Sequence, residues 1–255
     1  DWLGLALLLS GMSMLVFGIM EGPERGWTEL SIALPLLGGT LVLVMLVVAE
    51  RRIATPLIAV ELFGNPSFSA YNLIIFSAQY AKMAIFVFGA LYFQDSLGAS
   101  PLMAGAALLP SVAPQILLAP WAGKLTDRYG PRLPSLAGIL GLAMGLVIMG
   151  VGAAFNSLML IMGGLLVLGV IMPLLFVPPQ AAVLSTVPPA MQGQASGIIM
   201  SSQLVGGTVG MAICSTVYVV ANSAAAVFWV TAGFAFCVFI LSIIATAPRP
   251  GAAAA

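Results

Sequence analysis

The residue best placed to do chemistry is Lys82, which falls near the middle of a long apolar segment, Phe68 to Phe93. A bare ammonium at the centre of a bilayer is costly, so such a lysine should face protein or an aqueous cavity and have a partner. No Asp or Glu lies inside any apolar segment of the chain. Two interpretations stay open: Lys82 belongs to a substrate or proton path, or it forms a structural ion pair with a carboxylate of a neighbouring helix.

Lys82 shares a helical face with other polar and aromatic side chains. At about 100° per residue, one face about 100° wide collects them all. The members of this stripe are Tyr71, Asn72, Gln79, Lys82 and Phe86. A stripe of this kind would suit the wall of a cavity, so the sequence predicts that this segment lines one.

Proline and glycine predict interruptions in two later apolar segments, residues 101–121 and 195–221. These positions correspond if the last six segments are two inverted groups of three, and discontinuous helices at matched positions point to a substrate path. The predicted helix breaks are Pro110, Pro114, Gly206, Gly207 and Gly210. Gln115 and Gln203 lie in the same two segments and could offer hydrogen bonds to a ligand.

A second set of small residues precedes these glycines in the seventh segment. Gly193, Gly197 and Ser201 recur every four residues and so lie along one side of a helix. Small residues at this spacing allow two helices to approach closely. We therefore expect these three residues to form a packing seam rather than a binding site.

Several kinds of chemistry are disfavoured by composition. The chain has no His, and Cys214 and Cys237 lie in apolar runs, where buried small hydrophobes are expected rather than metal ligands or a disulfide. No metal site and no cofactor are predicted. The apolar segments offer no carboxylate pair and no Cys beside a base, which disfavours an enzyme. A net charge of zero without a basic tract excludes a nucleic-acid partner.

The elements that position these residues are membrane-spanning helices. With 61% hydrophobic and 6% charged residues and a mean hydropathy of +1.14, the chain must be solvated by a lipid bilayer. Eight segments are each long enough to cross it as a helix. They run from 2 to 20, 30 to 49, 68 to 93, 101 to 121, 134 to 152, 158 to 177, 195 to 221 and 224 to 247. The predicted fold is therefore an all-α integral membrane protein.

The basic residues predict the orientation of these helices. With eight crossings, the basic residues outside the apolar segments fall on one side except for Arg25, which is accompanied by Glu21, Glu24 and Glu29. The residues on the common side are Arg51, Arg52, Lys124, Arg128, Arg132 and Arg249. The positive-inside rule then places both ends of this multi-pass chain in the cytoplasm, with the helices in the cell membrane.

The connection between the fourth and fifth segments carries the most specific pattern. Residues 123–132, GKLTDRYGPR, match G-x-L-x-D-R-x-G-x-R, a loop pattern of the major facilitator superfamily, through Gly123, Asp127, Arg128, Gly130 and Arg132. By charge and position alone, Asp127 could cap a helix start or pair with Arg128 or Arg132. The stretches DWLG at the start, YFQ from Tyr92 and GQASG from Gly193 also resemble that superfamily. Its fourteen-span drug:proton antiporters are the most similar group.

The resemblance implies a domain plan and a mechanism. Residues 1–67 would hold two additional transmembrane helices and a cytoplasmic linker, residues 68–247 the C-terminal six-helix bundle, and residues 248–255 a cytoplasmic tail. This bundle would rock against an N-terminal half of the same transporter, which the sequence lacks. The loop of residues 123–132 would form part of a cytoplasmic gate. The implied partners are the lipid bilayer, a small-molecule substrate and protons.

The leading functional hypothesis is a secondary active exporter of amphipathic small molecules, driven by proton antiport through alternating access. Three alternatives remain: a major facilitator transporter of another small solute, an isolated non-transporting half that assembles with a partner, and, least supported, a membrane enzyme. Since the chain begins at Asp1 rather than at an initiator Met, we expect it to be part of something longer.

Overall fold

The computed structural model describes residues 2–50 and 60–247, and these ranges are helical with no strand. The predicted basic residues Arg51, Arg52 and Arg249 lie outside the described residues, as do residues 51–59 of the predicted linker and the whole predicted tail. The α-helices are α1 Trp2–Arg25, α2 Leu30–Glu50, α3 Pro66–Met83, α4 Gly89–Asp95, α5 Pro101–Ala107, α6 Ala113–Tyr129, α7 Arg132–Ala154, α8 Leu158–Ser185, α9 Gln192–Ala221 and α10 Ala224–Ala245.

Eight spans in the described ranges are long and apolar enough to cross a membrane, which confirms the predicted number and fold class. The first two spans are α1 and α2. The third, Pro66–Asp95, joins α3 to α4 through a π-helical turn at Ala84–Phe88. The fourth, Pro101–Tyr129, joins α5 to α6 through a 3-10 turn at Leu109–Ser111. The fifth, sixth and eighth are α7, α8 and α10, and the seventh is α9 with a short 3-10 turn before it.

Local sequence explains where the third and fourth spans begin. The Asn65 side chain accepts a hydrogen bond from the Ser67 amide, and the Ser100 hydroxyl accepts one from the Met103 amide. Both are N-caps, and each is followed by a proline at the first helical position, where the missing amide hydrogen costs nothing. The break between the fourth and fifth spans needs Gly130, whose φ of +73° disfavours any other residue.

The third span is the centre of the bundle and packs against the sixth, seventh and eighth spans. Most of its side chains are buried among protein, including Phe68, Ile74 and Ile75. The fifth span packs against the sixth and eighth, with Gly138 and Gly145 allowing the sixth to approach closely. The last six spans therefore share one apolar core.

The first two spans form a tight hairpin of their own. A Cβ atom added to Gly39 would lie 2.9 Å from the Gly11 carbonyl oxygen, so the two backbones meet there. This hairpin packs on the rest of the molecule through the first span, which contacts the seventh. It is therefore an accessory element at the side of the six-span bundle.

Candidate functional site

Lys82 lies in the last turn of α3, immediately before the π-helical turn at Ala84–Phe88. It is half-buried, although Ala78 and Ala81 beside it are fully buried. In the part of the chain that the structure describes, Lys82 makes no ion pair. The Lys82 ammonium thus lies in the middle of a span, where packed protein meets open surface. No carboxylate of the described residues forms an ion pair with it.

The rest of the predicted stripe occupies three different environments. Tyr71 and Asn72 are buried in the bundle, and Phe86 packs against its core from within the π-helical turn. Gln79 is half-buried and faces Gly207 of the seventh span. The structure therefore places Tyr71 and Asn72 in the packed interior and leaves Gln79, Lys82 and Phe86 half-buried. The stripe was predicted for a regular α-helix, and the sequence pattern does not predict the π-helical turn at Ala84–Phe88.

Asn72 joins the third span to the seventh by a polar contact inside the apolar core. Its amide nitrogen donates to the Phe68 carbonyl at 3.0 Å, and its side-chain oxygen accepts from the Ser202 hydroxyl at 3.3 Å. A buried amide must satisfy both its donor and its acceptor, and this geometry does so. Ser202 was not predicted, because its neighbour Ser201 fits the small-residue pattern better.

The expectation that Gly206, Gly207 and Gly210 break the seventh span is wrong. α9 runs as one α-helix from Gln192 to Ala221. Gly206 and Gly210 instead let the third span pack against it: added Cβ atoms would lie 2.5 Å from the Phe76 carbonyl oxygen and 2.8 Å from the Tyr80 Cα. Glycine lowers helix propensity by only about 1 kcal/mol, which such packing can outweigh.

The expectation for Gly193, Gly197 and Ser201 is also wrong for the described residues. Added Cβ atoms on the two glycines would meet no atom within 4 Å, and Ser201 is exposed. These residues line a cavity of about 560 Å³ between the first, third and seventh spans. The seam that packs two helices closely is thus Gly206 and Gly210, which lie further along the same helix.

The fourth span has an interruption at Pro110, in the 3-10 turn, whereas Pro114 lies in the first turn of α6. The Gln115 amide nitrogen donates to the Ser111 carbonyl, because the Gln115 backbone amide bonds to Val112 instead. Here Gln115 satisfies a carbonyl freed by the turn, as an unpaired backbone group in a bilayer requires. Gln203 is half-buried on the seventh span.

The ten-residue pattern is mostly helical rather than a loop. α6 continues to Tyr129, and only Gly130 and Pro131 separate it from α7. Asp127 therefore lies inside a helix and does not cap a helix start, and it forms no ion pair with the described residues. The Arg128 guanidinium lies 5.2 Å from the centre of the Tyr129 ring.

Arg132 has a contact that the sequence did not predict. Its Nε donates to the Thr246 hydroxyl at 3.3 Å, and its Nη2 donates to the Ile243 carbonyl at 3.4 Å. The end of α10 presents unpaired carbonyls and the negative end of the helix dipole, which a cation stabilises. Arg132 thus ties the start of the fifth span to the end of the eighth.

The opposite end of the bundle is joined by two tyrosines. The Tyr218 hydroxyl donates to Asp95 at 2.9 Å, and the Tyr92 hydroxyl donates to the Asn156 side chain at 3.2 Å. These bonds link the end of the third span to the seventh span and to the turn after the fifth. Distant positions in the chain form both pairs, so no local sequence signal could have found them.

Two spans of the six-span bundle are poorly covered. In their most apolar windows, 17% of the fourth span and 28% of the seventh are buried, against 56% in the third and fifth. The exposed side chains of the fourth span include Leu102, Ile116 and Leu117. The fourth and seventh spans therefore present faces that the described residues leave open.

Comparisons with known proteins identify the family. A model described as Major Facilitator Superfamily matches residues 71–255, beginning after the first two spans. The chain is 28% identical over 217 residues to Multidrug resistance protein Stp of Mycobacterium tuberculosis, covering 85% of this chain and 40% of that protein. It is 31% identical over 230 residues to the cephamycin export protein CmcT of Amycolatopsis lactamdurans, covering 85% and 45%.

The lincomycin resistance protein LmrB of Listeria monocytogenes is 26% identical over 220 residues, with 85% of this chain and 46% of that protein covered. The chain thus spans less than half the length of these curated relatives. The family match covers most of the chain and agrees with the helical fold described above. The chain therefore belongs to the major facilitator superfamily, a superfamily of membrane transporters rather than enzymes.

Proposed function

We propose that this chain is part of a secondary active exporter of amphipathic small molecules that works by proton antiport and alternating access. Residues 1–67 supply two additional spans and a linker, residues 68–247 form the C-terminal half of the transporter, and residues 248–255 form a tail. The observation that carries the proposal is the half-buried Lys82 in the middle of the third span, which has no acidic partner in the described ranges. An ionisable group at that depth is retained for a function or for a partner.

The printed names of the relatives support export in particular. They describe multidrug resistance, lincomycin resistance and cephamycin export. Each name belongs to a protein more than twice as long as the match, so the activity of the whole transporter rests on this proposal. A proton antiporter must couple an ionisable group to substrate binding, and Lys82 is the candidate for that group in this part of the protein.

Lys82 can act in one of three ways. It neutralises an acidic residue of the other half, it binds an anionic group of the substrate, or it exchanges its own proton during the cycle. Gln79 lies one turn away and adds hydrogen-bonding capacity on the same partly open face. In each case Lys82 must reach an aqueous cavity, which the open faces of the fourth and seventh spans would line.

A second six-helix half is the proposed partner for those open faces. The fourth span, and the seventh span beyond Val205, would bury their open faces against it, and relative motion of the halves would open the cavity to alternate sides of the membrane. Gly123, Asp127, Arg128, Gly130 and Arg132 lie at the end of the bundle that we place in the cytoplasm, where they would belong to the cytoplasmic gate. Both ends of the chain would then be cytoplasmic in a cell-membrane protein.

The test is proton-driven efflux by the full-length protein in inverted membrane vesicles. With Lys82→Met we expect loss of the coupling between the imposed pH gradient and drug movement, because no Asp, Glu, Arg or other Lys of the described spans lies so far from a span end. Arg25→Met is the control, since Arg25 is an exposed cation at the end of the first span, outside both the polar stripe and residues 123–132. Unchanged coupling and unchanged substrate range in Lys82→Met would reject all three roles.

A further inference from the structure

The cavity beside the accessory hairpin has walls of two kinds. Leu8 of the first span, Phe63 of the 3-10 helix before the third span and Phe76 of the third span provide an apolar side. Ser201 and Ser202 of the seventh span provide hydroxyl groups on the other side. Among the residues that the structure describes, no Asp, Glu, Lys or Arg lines this cavity. Its lining therefore matches a molecule with an apolar body and an uncharged, hydrogen-bonding end.

The volume of the cavity selects among possible occupants. Ligand sites for drug-sized molecules enclose about 300–1,000 Å³, and this cavity holds about 560 Å³. The volume therefore suits one drug-sized molecule. The cavity persists because Gly193 and Gly197 have no side chains to fill it.

The cavity also adjoins the polar stripe of the third span. Ser202, in its wall, donates its hydroxyl hydrogen to the buried Asn72. Asn72 and Gln79 are seven residues apart on α3, which corresponds to about 10 Å along the helix. A molecule whose polar end reaches Ser202 would thus lie about two helical turns from Gln79 and about three from Lys82.

We propose that this cavity is a binding site for uncharged amphipathic small molecules, formed jointly by the accessory first span and the seventh span. The site receives a molecule from the membrane beside the accessory hairpin, before that molecule reaches the polar stripe. The inference rests on the proposed export function for the identity of its ligand, whereas binding to the site can be measured without transport.

The chain offers a closely matched control for filling this cavity. A second cavity of about 520 Å³ lies between the fifth and eighth spans, contains Gly233 in its lining and has no serine or glutamine there. A Cβ atom on Gly233, as on Gly197, would meet nothing within 4 Å. Leucine favours a helix more than glycine does, so Gly197→Leu and Gly233→Leu should both leave their helices intact.

The experiment is equilibrium binding of tritiated chloramphenicol, a neutral amphipathic probe, to the full-length protein in lipid nanodiscs. We expect Gly197→Leu to weaken binding about tenfold or more and Gly233→Leu to change it less than about twofold. Equal effects of the two substitutions, or none from Gly197→Leu, would overturn the site. The site would also be overturned if the Gly197→Leu protein bound the probe normally but changed its oligomeric mass. The cavity would then accommodate a helix of another copy of the protein rather than a small molecule.

Efflux of chloramphenicol from vesicles separates this inference from the proposed function. Binding that Gly197→Leu abolishes, in a protein that shows no proton-driven efflux, would leave the site standing and reject the exporter. Efflux that proceeds equally in the unmodified protein and in Gly197→Leu would support the exporter and overturn the site.

Discussion

Two stretches of the seventh span contain glycine at the same spacing yet have opposite surroundings. Gly193 and Gly197 line a cavity, whereas Gly206 and Gly210 lie against the backbone of the third span. Both pairs follow the small-residue pattern that allows helices to approach closely. The difference shows that the pattern permits a close approach without requiring one. Whether a helix arrives there depends on the packing of the rest of the bundle.

The boundary between the two stretches is marked by adjacent serines. Ser201 is exposed in the cavity wall, and Ser202 turns towards the third span and bonds to Asn72. Successive helical residues point about 100° apart, so one residue suffices to pass from the open side to the packed side. The two stretches are therefore different faces of one continuous helix rather than separate elements.

The largest loss of stability is expected from a substitution at Gly206. Gly206→Ala should lower the free energy of unfolding by about 2 kcal/mol, because its methyl group would overlap the Phe76 carbonyl and force the third and seventh spans apart. The measurement is the midpoint of unfolding in a mixed-detergent SDS titration. Gly207→Ala is the control, since its Cβ would make an ordinary 3.4 Å contact with Gln79. Equal midpoints for the two variants would contradict the close packing.

An intermediate effect is expected at the boundary. Ser202→Ala should lower the free energy of unfolding by about 0.6–1 kcal/mol, because the Asn72 oxygen loses its donor inside the bundle. The same SDS titration can compare it with Ser201→Ala, which removes an exposed hydroxyl. A Ser201→Ala variant as destabilised as Ser202→Ala would show that the open and packed sides are assigned incorrectly.

The smallest effect is expected on the open side. Gly193→Ala should leave stability unchanged or raise it by about 0.5 kcal/mol, because alanine favours the helix and its methyl group meets no neighbour. Thermal unfolding of the purified protein would detect the sign of this change. A marked destabilisation would contradict the open environment of Gly193, since it would mean that another helix lies against this residue.

The sequence predicted the architecture well. Eight apolar runs with few charges leave helices as the only structure that satisfies the backbone in lipid, and the family prediction from residues 123–132 is confirmed by the superfamily match. The fourteen-span grouping and the two-plus-six domain plan remain predictions. Helix ends were less accurate, because the charged residues up to Tyr129 continue α6 where a loop was expected.

The candidate site was predicted only in part. The depth of Lys82 could be counted along the chain, and the structure keeps it in the middle of a span. The assignment of the two glycine sets was reversed, because helix propensity describes a helix by itself and says nothing of its neighbours. The π-helical turn after Lys82 and the pairing of Arg132 with Thr246 also depend on contacts between distant residues.

Composition and apolar run length by themselves determined that this protein is a membrane-embedded helical bundle. A chain with so many apolar and so few charged residues can be solvated only by a lipid bilayer. The tertiary structure alone decided which small residues pack, which polar groups find partners and where a cavity remains. These outcomes depend on how helices distant in the chain meet, and the free energy of that packing is not encoded in any single segment.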